Sequence, residues 1–295
     1  MTIIQLEKKK NHFINRRVKY INSNTKKISK VLKLYRNKIN SIFHFGEFSR
    51  IYQSFIKMRE CLESNTIGTN EVINFCFSNK IKLIYSATSA TIGNSGQDKN
   101  LSPYAFTKAK NLELLENLKK WFKFKYEVVY FYNVYGPNQY PEKAIPKFII
   151  LASRGKQIAL HGDGLATRSY MHVDDAASAF DFILHKGQTL QVYNIGAHEE
   201  RTVLSVAEDV CELLGRDPKE TITYVRDRAF NDRRYFIDCS KLLALGWQQK
   251  ISWEEGLSMT VKWYTTQDLS SYWREYESAL RPHPTLHAQP LGTDF

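Results

Sequence analysis

Ile81-Lys-Leu-Ile-Tyr-Ser-Ala-Thr-Ser-Ala-Thr91, followed at Ser102-Pro-Tyr-Ala-Phe-Thr-Lys108, reads as a strand that gives way to a helix. Ile81–Tyr85 is rich in β-formers and bounded by polar residues. Ser102-Pro103 is a helix-start signal, and the segment from 103 to 123 runs amphipathically to Phe122. Working outward, Ser41–Phe45 predicts a strand, 66–79 a helix, and Glu127–Phe131 another strand. Residues 25–40 predict a helix with Ile28, Val31, Leu32 and Tyr35 on one face. This alternation is the pattern of an α/β chain with a doubly wound parallel sheet.

The later half is less regular. Helices are expected at Ile145–Arg154, Val173–His185, Val203–Leu214, Lys241–Leu245 and Trp253–Tyr264, with a strand at Gln191–Ile195. His161, in Leu160-His-Gly-Asp-Gly164, is expected in a hairpin turn. The tail from Ser270 reads as irregular. These features give one body with a smaller C-terminal lobe, divided here as residues 1–137 and 138–295.

Composition fits a globular protein: 295 residues, 43% hydrophobic and 24% charged. No apolar run approaches the ~18 residues of a membrane span. The N-terminus shows no secretory signal, and the four cysteines, far apart with no C-x-x-C, favour a reducing cytoplasmic setting. The formal charge of +12 resides in the first 60 residues, which hold 15 basic and 3 acidic side chains. The remainder holds 27 of each sign. A solvated basic face is therefore preferred over a nucleic-acid site. His283 and His287 have H-x-x-x-H spacing, but Pro284 argues against a helix there, and no metal site is expected.

Tyr104 and Lys108 stand four apart, on one face of a helix. A nearby ammonium favours the phenolate and would lower the tyrosine pKa, making a usable base. Thr88, 16 residues before Tyr104, can offer a hydroxyl to the same substrate oxygen.

With these residues in hand, the chain resembles an extended short-chain dehydrogenase/reductase of the nucleotide-sugar epimerase/dehydratase family. His44-Phe-Gly-Glu47 is similar to H-x-A-A, and Asn65-Thr-Ile-Gly-Thr69 to N-x-x-G-T. Asn133-Val-Tyr-Gly-Pro137 is similar to N-x-Y-G-P, and Arg168–Asp175 to R-x-x-x-x-V-x-D. Tyr193-Asn-Ile-Gly196 and Asp227–Tyr235 complete the series. From Asn133 onward the likeness is to plant-type rhamnose synthases and glucose 4,6-dehydratases.

The resemblance implies a Rossmann-like fold and an NAD-dependent enzyme that oxidises a nucleotide sugar at C4. It implies Thr88, Tyr104 and Lys108 as catalytic residues. It also implies His44, Phe45 and Gly46, with Tyr104 and Lys108, as cofactor-binding, and Thr88, Asn133, Arg168, Asn194 and Arg228 as substrate-binding. A homodimer through the helices at 66–79 and 103–123 is implied too, although their apolar faces suit sheet packing equally.

Two departures stand out. Where 4,6-dehydratases carry an Asp-Glu acid/base pair, this chain has Ser89 and Ala90. The expected outcome is a dTDP/UDP-glucose 4,6-dehydratase-like reaction, with a UDP-sugar 4-epimerase or an inactive nucleotide-sugar-binding relative as alternatives. The Gly-rich fingerprint that cradles a pyrophosphate is absent before residue 44, so the first βαβ portion is expected to be missing.

Overall fold

The computed structural model describes residues 3–7, 15–91, 102–131, 133–197, 199–227 and 238–281. Contacts divide the chain into two units. One comprises Met1–Tyr132, Ala177–Ile195 and Ile237–Gln248; the other comprises Asn133–Ala176, Gly196–Phe236 and Gln249–Phe295.

The first unit holds a parallel sheet. Strands β1 (Ile3–Glu7) and β2 (Val18–Asn22) pair parallel with each other. Strands β3 (Ser41–His44), β4 (Lys82–Ala87) and β5 (Tyr126–Phe131) belong to a four-stranded sheet. Its order is β10-β5-β4-β3, where β10 is Val192–Ile195, and every pairing in it is parallel. This confirms the α/β class with a parallel sheet. β4 is buried from Leu83 to Ala87, as expected of a strand covered on both faces.

The sequence reading draws no strand before residue 41; the structure has two. It also draws one long helix over 25–40, where the structure has only α1 (Ile28–Leu32) flanked by 3-10 turns at Thr25–Lys27 and Arg36–Lys38. The apolar stripe was nevertheless meaningful. Ile28 and Leu32 are buried in the core with Val72, Phe75 and Cys76, and Val31 and Tyr35 pack against it. The basic head is thus anchored on its apolar side.

Helices α2 (Ile51–Ile56) and α3 (Met58–Leu62) lead into a π-helical turn, Glu63–Gly68, and then α4 (Thr69–Ser78). The expected start at 66 is therefore late, because helical structure already runs from 58. The π turn seats Gly68 against the head: a Cβ there would lie 2.3 Å from Thr25 Oγ1. Helix α5 (Pro103–Phe122) matches expectation closely. Ser102 Oγ accepts from Ala105 N at 3.1 Å, satisfying a donor that the helix leaves free.

The second unit holds β6 (Val134–Tyr135), α6 (Ala144–Ser153), β7 (Ile158–His161), β8 (Thr167–Ser169) and β9 (Met171–His172). Helix α7 (Val173–Lys186) follows and ends within the first unit. After β10 the second unit continues with β11 (Glu200–Thr202), α8 (Val203–Leu213), α9 (Pro218–Thr221) and β12 (Ile222–Val225). Helix α10 (Ser240–Ala244) belongs to the first unit; α11 (Trp253–Thr266) and α12 (Leu269–Tyr272) belong to the second. Ile149, Val206, Val210 and Leu257 form part of the second unit's core, joining α6, α8 and α11.

The His161 turn is not a hairpin: β7 pairs parallel with β12, and β8 pairs antiparallel with β11. The tail is more regular than expected, with α12 and a 3-10 turn at Tyr276–Leu280. His283 and His287 lie outside the described residues. Among the described residues no group of three or more His, Cys, Asp or Glu could hold a metal, and no helix is long and apolar enough to cross a membrane.

Candidate active site

The site grows from the carboxyl ends of β3 and β4 and the first turn of α5, the end of a parallel sheet where ligands bind in open α/β folds. β4 ends at Ala87, and Thr88 sits between it and a 3-10 turn at Ser89–Thr91. The Thr88 side chain lies beside the Tyr104 phenol, close enough to lower its pKa. Thr88 and Tyr104 are therefore brought together as the sequence suggested. Lys108 lies one turn further on α5 and is 4% exposed.

Lys108 is closely partnered. Its Nζ forms an ion pair with Glu47, donates to Ser86 O at 2.5 Å and lies 4.7 Å from the centroid of the Tyr85 ring. Ser86 Oγ in turn donates to His44 O at 2.7 Å, tying β3 to β4 above the strand pairing. Burial lowers the Lys108 pKa, and Glu47 opposes that shift.

The Tyr104 phenol is pushed up to about 12, first by burial; its hydrogen bond to Thr88 lowers it, and Glu47 and Cys61 raise it. This is the reverse of the shift expected from Tyr-Lys spacing. Spacing reveals the lysine but not Glu47, 61 residues earlier in the sequence, whose carboxylate meets that lysine.

His44, Phe45 and Gly46 follow each other at the end of β3 but have different surroundings. His44 is buried, its Nε2 lies 2.9 Å from Thr69 Oγ1, and burial brings its pKa down to about 4. It is a neutral, hydrogen-bonded ring at neutral pH. Phe45 is half exposed and packs edge-on against Phe180, with centroids 4.9 Å apart. Gly46 is exposed.

Of the other sequence-chosen residues, Asn194 lies in the same unit as this cluster. Asn194, at the end of β10, donates through Nδ2 to Asp238 O at 2.9 Å. Asn133 and Arg168 belong to the second unit. Asn133 has a φ of 39°, and its Nδ2 donates to Ser169 O at 3.5 Å. Arg168 Nη1 donates to Thr167 O at 2.7 Å. Arg228 lies outside the described residues.

The second unit also carries a cleft of about 300 Å³ lined by Tyr135, Tyr170, Arg201 and Trp253, among others. The sequence reading singles out none of these four for the site. Arg201 lies over the Trp253 ring and meets Glu199, Asp209 and Glu254 at 3.1–3.5 Å, so its charge is already balanced.

Sequence reasoning missed the buried polar shell around Tyr104 and Lys108. Asn65, in the π turn, donates to Phe48 O at 2.9 Å and to Thr107 Oγ1 at 3.2 Å. Asn111, on α5, donates to Asn65 O at 2.8 Å and Tyr85 Oη at 3.2 Å. Asn65 carried a signal, as the first residue of the N-x-x-G-T match. Asn111 and Tyr85 carried none.

This arrangement can hold a sugar hydroxyl between Thr88 and Tyr104 and move a proton at the phenolic oxygen. The residues present suit the nicotinamide end of a dinucleotide: a buried phenol, a hydroxyl beside it, and a lysine one turn away at the ligand end of a parallel sheet.

The profile of the NAD dependent epimerase/dehydratase family matches residues 1–196. A trifunctional UDP-glucose 4,6-dehydratase/UDP-4-keto-6-deoxy-D-glucose 3,5-epimerase/UDP-4-keto-L-rhamnose-reductase of Arabidopsis thaliana is 38% identical over 272 residues. That match covers 88% of this chain, which spans only 40% of the plant protein. The dTDP-D-glucose 4,6-dehydratase of Homo sapiens is 33% identical over 262 residues, covering 84% of this chain and 74% of that protein. The structure of dTDP-glucose 4,6-dehydratase from Bacillus anthracis in complex with NAD superposes with a TM-score of 0.78 at 30% identity, covering 88% of this chain and 83% of that one. The match extends to residue 1, so the basic head is part of the shared region. The chain belongs to the NAD-dependent epimerase/dehydratase family.

Proposed function

We propose that the chain modifies a nucleotide sugar by oxidation at C4 with NAD, in a dTDP- or UDP-glucose 4,6-dehydratase-like reaction. The observation that carries this reading is the buried Tyr104 phenol beside the Thr88 side chain with Lys108 one turn away, in a chain with dehydratase relatives. Bound NAD would supply the hydride acceptor, and Tyr104 and Lys108 would hold its nicotinamide ribose. Thr88 would orient the sugar 4-hydroxyl. Tyr104 would take that hydroxyl proton at its phenolic oxygen, and burial would keep bulk water from competing. Asn133, Arg168, Asn194 and Arg228 are assigned to the nucleotide-sugar, since an arginine fork suits a diphosphate.

A second reading, 4-epimerase, is favoured by Ser89 and Ala90. They form the turn after Thr88 with Thr91 and supply no carboxyl group for elimination. Incubating the chain with NAD and UDP- or dTDP-glucose, followed by mass spectrometry, separates the two. A product lighter by one water supports the dehydratase. An isobaric product with a new retention time supports the epimerase. Unchanged substrate with both nucleotides, and no NAD bound, overturns both.

Homodimer formation is supported by the exposed apolar side chains of Met58, Leu62, Ile67 and Phe106 on α3, the π turn and α5. Four buried cysteines suit a reducing, cytoplasmic setting.

A further inference from the structure

Glu47 plays no part in the Tyr-Lys reading, yet it is central to the site. Its side chain is 2% exposed, and that of its ion-pair partner Lys108 is 5% exposed. Thr69 Oγ1 donates to the same carboxylate at 3.0 Å, Tyr85 Oη at 3.2 Å and Asn111 Nδ2 at 3.3 Å. The donors come from α4, β4 and α5, as an acceptor-only group withdrawn from water requires. In sequence, Glu47 stands at the second alanine of the H-x-A-A pattern that this segment resembles.

We propose that Glu47 is a positioning residue that claims the charge of Lys108 and so withholds it from Tyr104. Two effects act in the same direction. A carboxylate near the phenol opposes formation of a second negative charge. An ammonium in contact with a carboxylate presents a dipole rather than a full positive charge, and its influence fades faster with distance. The other titratable groups facing the cluster are His44 on β3, Cys61 on α3 and Tyr85 on β4. Burial favours the neutral form of each, leaving Glu47 and Lys108 as the charges of the cluster. Tyr104 in this chain is thus a reluctant base, and proton transfer through it has an alkaline pH dependence. The inference rests on reading Tyr104 as the proton-transfer group.

The test is an ultraviolet titration of phenolate in the full chain, with the signal of the Tyr104→Phe variant subtracted to isolate Tyr104. It needs no turnover, so an inactive chain can still confirm or refute the role of Glu47. In the wild type, Tyr104 ionises above the value of ~10 for free tyrosine. In Glu47→Gln, which keeps an oxygen to accept from Thr69 and Tyr85, the midpoint falls by about one pH unit or more, a roughly tenfold change in ionisation. Adding Lys108→Met to Glu47→Gln returns the midpoint upward. A wild-type midpoint at or below that of free tyrosine overturns the proposal, whether or not the variants fold. So does a folded Glu47→Gln variant that titrates like the wild type, which is the result expected if Glu47 only stabilises the fold.

Discussion

Replacing Lys108 by Met removes one member of a buried ion pair and leaves the other. Both side chains are at most 5% exposed, so solvent cannot take over the role of the lost ammonium. Breaking such a pair from one side costs about 3–5 kcal/mol, because the remaining charge is left uncompensated. At about 2–4 °C per kcal/mol for a domain of 150–250 residues, the melting temperature should fall by roughly 6–20 °C. Glu47→Gln/Lys108→Met removes both charges and keeps an acceptor for Thr69 and Tyr85, so it should recover most of that loss. With the Glu47→Gln single variant and the wild type completing the cycle, thermal unfolding followed by far-ultraviolet circular dichroism and urea unfolding are measured on all four proteins. A Lys108→Met protein melting within about 2 °C of the wild type, which corresponds to less than ~1 kcal/mol, would refute the buried pair. So would a double variant as unstable as the single one.

Three further outcomes follow from the geometry. Tyr104→Phe should keep the fold and lower turnover by about 10²–10⁴, the range supplied by a positioned acid or base; steady-state kinetics with UDP- and dTDP-glucose checks it. His44 has a depressed folded pKa of about 4, so the unfolded chain binds the extra proton between about pH 4 and 6.5. Its stability contribution is present above pH ~6.5 and is lost as pH falls through 4, roughly 3 kcal/mol in all. Urea unfolding across that window should show a shallower pH slope in His44→Gln than in the wild type. Gly136 has a φ of 145°, and a Cβ there would lie 2.7 Å from Val173 Cγ1; Gly136→Ala should destabilise the second unit by about 1–3 kcal/mol in urea unfolding.

The parts legible in the sequence are those governed by local chemistry. Helix α5 was readable because Ser102 caps it and Pro103 starts it, and the cap bond forms within three residues. Strands β4, β5 and β10 were readable because buried parallel strands are short apolar runs. The head is hard to read because polar Lys19 and Asn22 leave Val18-Lys-Tyr-Ile-Asn22 without an apolar run, and because Ile28 and Leu32 need only one helical turn to reach the core. The start of the 66–79 helix was misread because a π turn interrupts the 3.6-residue period that the reading relies on.

In the site, Tyr104 and Thr88 were found by motif, and the structure joins them. The electrostatics were not legible. The sign of the Tyr104 shift depends on burial and on Glu47, which comes from a different element and matters only once β3 and α5 are packed. Motif spacing locates groups along one helix face; it cannot reveal a counter-ion supplied by the loop that follows a different element.

The most direct test of the C4-oxidation reading is a single-turnover experiment. The NAD-loaded chain is mixed rapidly with UDP- or dTDP-glucose, protiated or deuterated at C4, while reduced-nicotinamide absorbance is followed. The account predicts a transient rise that is slower with deuterium at C4 and lost in Tyr104→Phe. A loaded, folded chain that turns over either sugar without an isotope effect at C4, or forms no reduced nicotinamide with either, would contradict it.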